Sequence, residues 1–524
     1  MNRLTRYTDN LFFVFLFILP FQTVYLWREP IMNGAKWQYG TIGIYLSSLI
    51  VAVAIMLGAI VKANASKKKT IIDMMTTLWH ERKSDMFLLL FVLWSGLSIL
   101  WAQDTALALY TFVKILLAAD VFVMTRDLVR RGKMKRIVVV LFVAAAIQSV
   151  IGIGQFLTQD SFSSKVLGMS AYESWQAGTS VLKNESGRFL RAYGSFSHPN
   201  VYGLFLAVVL ILVVSTIGEK SLLFPLFQRG KLLNVVPSSK ARFLFIKNWK
   251  TSCLPFKNGV PSLRGDCVSP IALAVVQGFC SRTVTFFGIL IILLGLIMSF
   301  SRLAWGGFAL GFIFLAWRSI SDIYFCHPGL DPGSTKKNIL DSGSKAGMTG
   351  RYPLAIFATI VISTVIFTGI LHETVFPRFD GGVVDRDGSV VDRMSTYRDA
   401  FQIVRAHPLL GVGAGNETAE LIRISPHRPI WDIQPSHDVP LLILTELGIP
   451  GLVLALCFFW FSLFPIVKTK TPLGDGRAPV IVILLILIPS LLLDHFLWDS
   501  NFGLMFVFIL LGLTFDTNYR LKRP

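Results

Sequence analysis

Long apolar runs separated by short charged stretches recur from Leu11 to Leu513, and nothing else constrains this chain as strongly. A helix needs about 20 predominantly apolar residues to cross ~30 Å of hydrocarbon. Runs of that kind lie near 10–27, 40–61, 86–101, 106–125, 137–157, 200–217, 284–299, 303–320, 353–371, 439–466, 479–493 and 499–515. Composition points the same way. Of the 524 residues, 53% are hydrophobic with the 41 glycines left out, only 15% are charged, and the mean hydropathy is +0.61. Soluble domains carry roughly 25% charged residues, and a single core stops growing near ~250–300 residues. The surplus apolar surface requires lipid as a second solvent, which excludes a soluble enzyme. The predicted fold is all-α, a polytopic membrane protein of about twelve transmembrane helices.

Fifty Lys and Arg stand against 31 Asp and Glu, a net charge of +19. On a soluble chain that surplus would suggest nucleic acid; here it marks cytoplasmic loops. With the N-terminus inside, Lys67, Lys68, Lys69, Arg82 and Lys83 share one inner loop and Arg126, Arg130, Arg131, Lys133, Lys135 and Arg136 the next. Lys468, Lys470, Arg477 and the tail Arg520, Lys522 and Arg523 fall on the same side, so both termini are predicted cytoplasmic. Arg3 and Arg6 precede an apolar run with no small-residue cleavage pattern after it, which reads as an uncleaved first helix. Five cysteines, without C-x-x-C spacing, signal neither a zinc site nor a disulfide framework.

The predicted organisation is helices 1–6 over 1–217, a basic cytoplasmic insertion at 218–283, helices 7–8 over 284–320, a second insertion at 321–352, helix 9 over 353–371, a large periplasmic loop at 372–438 before the third-last helix, and helices 10–12 over 439–524. The stretch HPGLDPGSTKKNILDSGSKAGMTG resembles a translated repeat element and suits a flexible linker. Neither insertion is expected to carry chemistry. The long outer loops 158–199 and 372–438 are, because long loops in compact proteins tend to be functional.

The segment Asp392 to Gly451 holds the densest signals. Arg393, Tyr397, Ala400 and Phe401 share one face at helical spacing, predicting an amphipathic helix that stops before Pro408. Gly411-Val-Gly-Ala-Gly415 permits a tight backbone turn, with an anion-binding nest as an alternative. His437 stands just before an apolar helix, at the water–lipid boundary.

These residues resemble the O-antigen ligase and Wzy-type polymerase superfamily. The matching signatures are R-x-x-x-(W/Y)-x-x-A ending in P-L-x-G-x-G over Arg393 to Gly413, H-(N/D)-x-x-L at His437, Asp438 and Leu441, and E-x-G-x-x-G from Glu446 to Gly451. An upstream R-x-x-G-(S/T)-F-x-x-P-N matches Arg191 to Asn200, S-R-x-x-(W/x)-x-G matches Ser301 to Gly307, and Asp494 sits where the family often has an acidic residue. The resemblance covers most of the chain except the insertions. It implies an inner-membrane glycosyltransferase that moves a glycan from a polyprenyl (undecaprenyl) diphosphate carrier to an acceptor hydroxyl at the periplasmic face, without metal or other cofactor. The implied acceptor is lipid A-core in a ligase or a growing glycan in a polymerase, both in lipopolysaccharide or exopolysaccharide biosynthesis; the implied partners are membrane lipids and no nucleic acid.

By the same resemblance, His437 is the catalytic base, and Arg393 and Arg302 are catalytic cations for the leaving diphosphate. Arg191, Lys114, Asp438 and Asp494 are predicted substrate-binding residues. Each cation has a plainer alternative as a lipid-headgroup anchor or solvated face. Lys114 lies mid-span with Asp120 six residues on, a spacing that puts the two on different faces. Asp385-Arg-Asp387 superficially matches a metal-holding D-x-D, but Asp387-Gly388 reads as a hairpin turn. The rival from another class is a flippase or transporter for the lipid-linked glycan. It would be expected to show internal repeats with paired broken helices, and none is evident between the halves.

Overall fold

A computed structural model describes residues 3–32, 34–65, 83–176, 178–184, 187–218, 282–325, 357–375, 388–468 and 477–514. Most of both predicted insertions, Asp385, Asp387, His327 and every cysteine except Cys457 lie outside the described residues. The described chain is mostly helical, with four two-stranded antiparallel ribbons. By length and apolarity, five described helices suffice to cross a membrane: Lys83–Leu100, Thr105–Arg130, Met134–Thr158, Pro199–Thr216 and Val439–Leu463. Shorter apolar helices occupy Leu46–Val61, Val284–Met298, Arg302–Trp317, Phe357–Ile370, Ile481–Leu493 and Asn501–Leu513.

Two expected spans start or stop elsewhere. The first helix runs Arg3–Ile18 and not to residue 27, because Pro20 disfavours helical backbone just before it. The chain then extends as Val24–Arg28, rich in β-branched and aromatic side chains, and pairs with Ile42–Tyr45. The second helix accordingly begins at Leu46, where that ribbon ends.

Two helices lie at the centre of the bundle. Pro199–Gly218 is apolar around its whole circumference, and 94% of its apolar window is buried. Every residue of Asn501–Leu513 is buried as well. A helix with no polar face needs apolar neighbours on all sides. The two meet where Phe205 packs against Phe502 and Phe506, with ring centroids 5.7 Å away in each case.

The connections gather at the two ends of the bundle. At one end Asp9 binds Arg131 at 2.7 Å and Lys133, while Arg126 binds Asp85. At the other, Arg28 grips Asp104 through two hydrogen bonds of 2.9 and 2.7 Å, and Asp104 caps the Thr105–Arg130 helix. Asn416 accepts from the Asp104 amide at 2.7 Å, and Ser195 donates to the Pro20 carbonyl at 3.0 Å. The N-terminal ribbon, the 158–199 loop and the 388–438 segment are thereby fastened at the same end.

Candidate active site

The 388–438 segment opens with the helix Gly388–Ala406, so Gly388 begins a helix and does not close a hairpin. Beyond Ala406 the chain turns at Gly411-Val-Gly-Ala-Gly415 and docks on a break in the helix Val439–Lys468. That break lies at Gly448, with φ 68° and ψ −172°. A Cβ at Gly448 would sit 2.1 Å from the Leu409 carbonyl oxygen, and one at Gly411 would sit 2.4 Å from that of Glu446. Only glycines allow the backbones this close.

A helix broken among apolar neighbours needs new partners for its freed carbonyls. Here Val412 N–H donates to Thr445 at 3.0 Å, Gly413 N–H to Glu446 at 2.8 Å, and the Trp94 indole to Leu447 at 2.8 Å. Trp101 donates to the Leu410 carbonyl at 3.2 Å, so the two indoles tie the break and the turn to the stretch 94–101. Ala414 N–H donates to Ser98 at 3.1 Å. With the amides of Val412, Gly413 and Ala414 taken by the protein, the glycine turn is a docking element and not an open anion nest.

His437 stands two residues before the helix that this turn braces. Glu417 fixes the approach: its carboxyl accepts from Ser436 N–H at 2.8 Å, the Ser436 hydroxyl at 3.2 Å and the Thr445 hydroxyl at 2.6 Å. Burial pushes the Glu417 carboxyl up to about 7, against the opposing pull of those hydrogen bonds. Asp438 accepts from Leu441 N–H at 2.7 Å and so caps the helix. Tyr397, one turn beyond Arg393 on the amphipathic helix, donates to the His437 carbonyl at 3.4 Å.

Two further groups face His437 from the link between the last two long helices. Asp494 Oδ1 lies 3.9 Å from His437 Nδ1, within ion-pair range but too far for a hydrogen bond, and that buried nitrogen has no hydrogen-bond partner among the described residues. The His495 ring lies 4.7 Å from the His437 ring. His495 Nδ1 is 2.9 Å from Asp499 Oδ2, one helical turn on. Burial would raise the Asp494 carboxyl, but the His437, His495 and His198 imidazoles hold it well below the usual carboxylate range. For His495 burial opposes the charge, and Asp499 and Asp494 outweigh it, lifting the imidazole to about 9.

Arg191 reaches this cluster through Asn200, which accepts from its guanidinium at 3.0 Å and donates to Asp494 Oδ2 at 3.4 Å. The other Arg191 nitrogens donate to the Ser299 carbonyl and the Ser180 hydroxyl, both at 2.9 Å. Its donors are directed into the protein, gripping the turn that precedes Arg302. Arg302 itself opens the next helix with an exposed side chain. Lys114, buried mid-helix, donates to the Asp499 carbonyl at 2.8 Å. The structure thus brings His437, Asp494, Arg191 and Lys114 into one connected set, places Arg393 beside it through Tyr397, and leaves Asp438 as a cap.

Among the described residues, His437, Asp494 and His495 bring three ligand-type atoms within 4.8 Å of one another. Each also has a charged or polar neighbour: Asp494 for His437, Asn200 for Asp494 and Asp499 for His495. Sequence reasoning passed over His495, Asp499, Glu417 and Tyr39, whose ring lies 5.8 Å from that of His495. The His495-x-x-x-Asp499 spacing is the signal that could have found the first two.

Residues 287–456 match the family model described as O-antigen ligase, Wzy_C. The resemblance drawn from the short motifs to the O-antigen ligase and Wzy-type superfamily is therefore shown, over a stretch that includes Arg302, Arg393, His437 and the Gly448 break. No curated protein matches the chain. The apolar helices fit a multi-pass membrane protein, and the match supports a ligase- or polymerase-type function in general.

Proposed function

We propose that the chain is an inner-membrane glycosyltransferase that moves a glycan from a polyprenyl diphosphate carrier to an acceptor hydroxyl at the periplasmic face, as an O-antigen ligase acting on lipid A-core. One observation carries this reading: His437 stands in the matched segment with the carboxyl group of Asp494 3.9 Å from Nδ1. That placement supports a base on the other ring nitrogen, Nε2. The acceptor O–H gives its proton to His437 as its oxygen forms the new C–O bond. The sugar–phosphate C–O bond breaks, and its electron pair leaves with the diphosphate, inverting the anomeric centre. Asp494 offsets the charge that His437 gains.

Growing negative charge on the diphosphate calls for fixed cations. Arg302, exposed at a helix start, and Arg393, beside Tyr397, are free to approach it in a way that Arg191 is not. Arg191, Lys114 and Asp494 serve the site by shaping it. The H-D-x-x-L and E-L-G-x-P-G pattern supports ligation over polymerisation.

The test is complementation of a strain lacking the gene, with surface glycan resolved on gels. Wild type restores long chains on lipid A-core, while His437→Ala and Arg302→Ala leave polymer on the carrier. Single repeats on lipid A-core in place of long chains would instead identify a polymerase. Full complementation by both variants would overturn the assignment and favour a flippase.

A further inference from the structure

A base next to a buried carboxylate has a difficulty of its own. A base has to begin without its proton, and a carboxylate as close as Asp494, 3.9 Å away, works against that. A compensating positive charge at similar range would relieve it, and the structure supplies a group in that place. His495 follows Asp494 directly and its ring lies 4.7 Å from that of His437. Asp499 holds its Nδ1 at 2.9 Å, the Asp499 carbonyl is in turn held by Lys114 at 2.8 Å, and the Tyr39 ring packs on its edge at 5.8 Å.

We propose that His495, anchored by Asp499, is a positioning residue whose positive charge offsets part of the carboxylate charge around His437 and so favours an unprotonated base for the acceptor. This rests on the reading of His437 as the base. Of the charged and titratable groups around His495, Asp494 and Asp499 come from its own segment, Tyr39 from the ribbon region, and Arg191 and His198 from the stretch before the Pro199–Gly218 helix. Lys114 comes from the Thr105–Arg130 helix, and Glu417 and His437 from the matched loop and its surroundings. Asp499 and Asp494 dominate this set and raise the imidazole, which is consistent with a cation at neutral pH. None of this pairing is contained in the motifs around His437, since His495 and Asp499 lie beyond the matched residues 287–456.

The experiment is the pH dependence of kcat/KM for glycan transfer between pH 5 and 9, with purified full-length enzyme and carrier-linked glycan. Losing a positive charge 4.7 Å from the base makes His437 easier to protonate. His495→Gln is therefore expected to move the acid limb upward by about one unit or more, with the rate recovering at high pH. His495→Lys keeps the charge and is expected to retain the wild-type limb. A uniform loss across the range in His495→Gln, with the limb unmoved, overturns the proposal. So does an upward-moved limb in His495→Lys, which decides the matter if the Gln variant does not fold. His437→Ala, run in parallel, separates the two claims: an active His437→Ala enzyme overturns the base itself, and an inactive one with an unmoved His495→Gln limb overturns only the role of His495.

Discussion

His437 and Asp494 are 57 positions apart in the chain, yet their facing atoms are 3.9 Å apart. Both were singled out in the sequence by the family resemblance, His437 through the H-(N/D)-x-x-L motif and Asp494 through its place before the last apolar run. Arg191 was legible only as a cation. Its three-way grip on Ser299, Ser180 and Asn200 depends on backbone and side chains that the folded chain alone brings together. Glu417 was invisible for the same reason, since its hydroxyl partners are Ser436 and Thr445. At this scale His437→Ala is expected to lower transfer by about 10²–10⁴-fold, as measured with carrier-linked glycan. A chelator is expected to leave transfer unchanged. Loss restored by one divalent cation would instead make His437, Asp494 and His495 a metal site. Glu417 gives a pH prediction for stability. Its folded value, about 7, is above the ordinary 4.5, so its contribution is fully present below 4.5 and is lost as the pH rises from there through about 7. Thermal unfolding of the wild type in detergent should show that decline, and Glu417→Gln should flatten it.

The matched segment works as two elements pressed together, a glycine turn and a broken helix. The turn was readable from the glycines, and the amphipathic helix before it from its periodicity. The break at Gly448 was not, because 439–466 reads as one uninterrupted apolar run and nothing local marks where its carbonyls find other donors. The same blindness let the glycine amides look open to an anion, when Thr445, Glu446 and Ser98 take them. Gly448→Ala would force a Cβ to within 2.1 Å of the Leu409 oxygen at positive φ. It is expected to cost at least about 1–3 kcal/mol and to lower the thermal midpoint in detergent. Trp94→Phe keeps an aromatic ring but leaves the Leu447 carbonyl without the indole N–H, a loss of about 1–3 kcal/mol in the same assay.

Across the whole molecule, the site rests on the ends of the two most buried helices: Asn200 begins one, and Asp494 with His495 lead into the other. Composition alone foretold a lipid-embedded helical bundle. The β-ribbon that displaces the first two spans was hidden, since Val24–Arg28 is as apolar as the helix before it and its partner strand follows a turn. The helices on either side of the first predicted insertion, Pro199–Gly218 and Arg282–Met298, pack directly on each other. Replacing residues 226–275 with a Gly/Ser linker is accordingly expected to leave glycan transfer within a few-fold of wild type, by the same gel assay. The most direct test of the central claim is transfer by purified protein in lipid, from polyprenyl diphosphate-linked glycan to lipid A-core. The account predicts product with wild type and essentially none with His437→Ala at equal folded protein; equal product from both would contradict it.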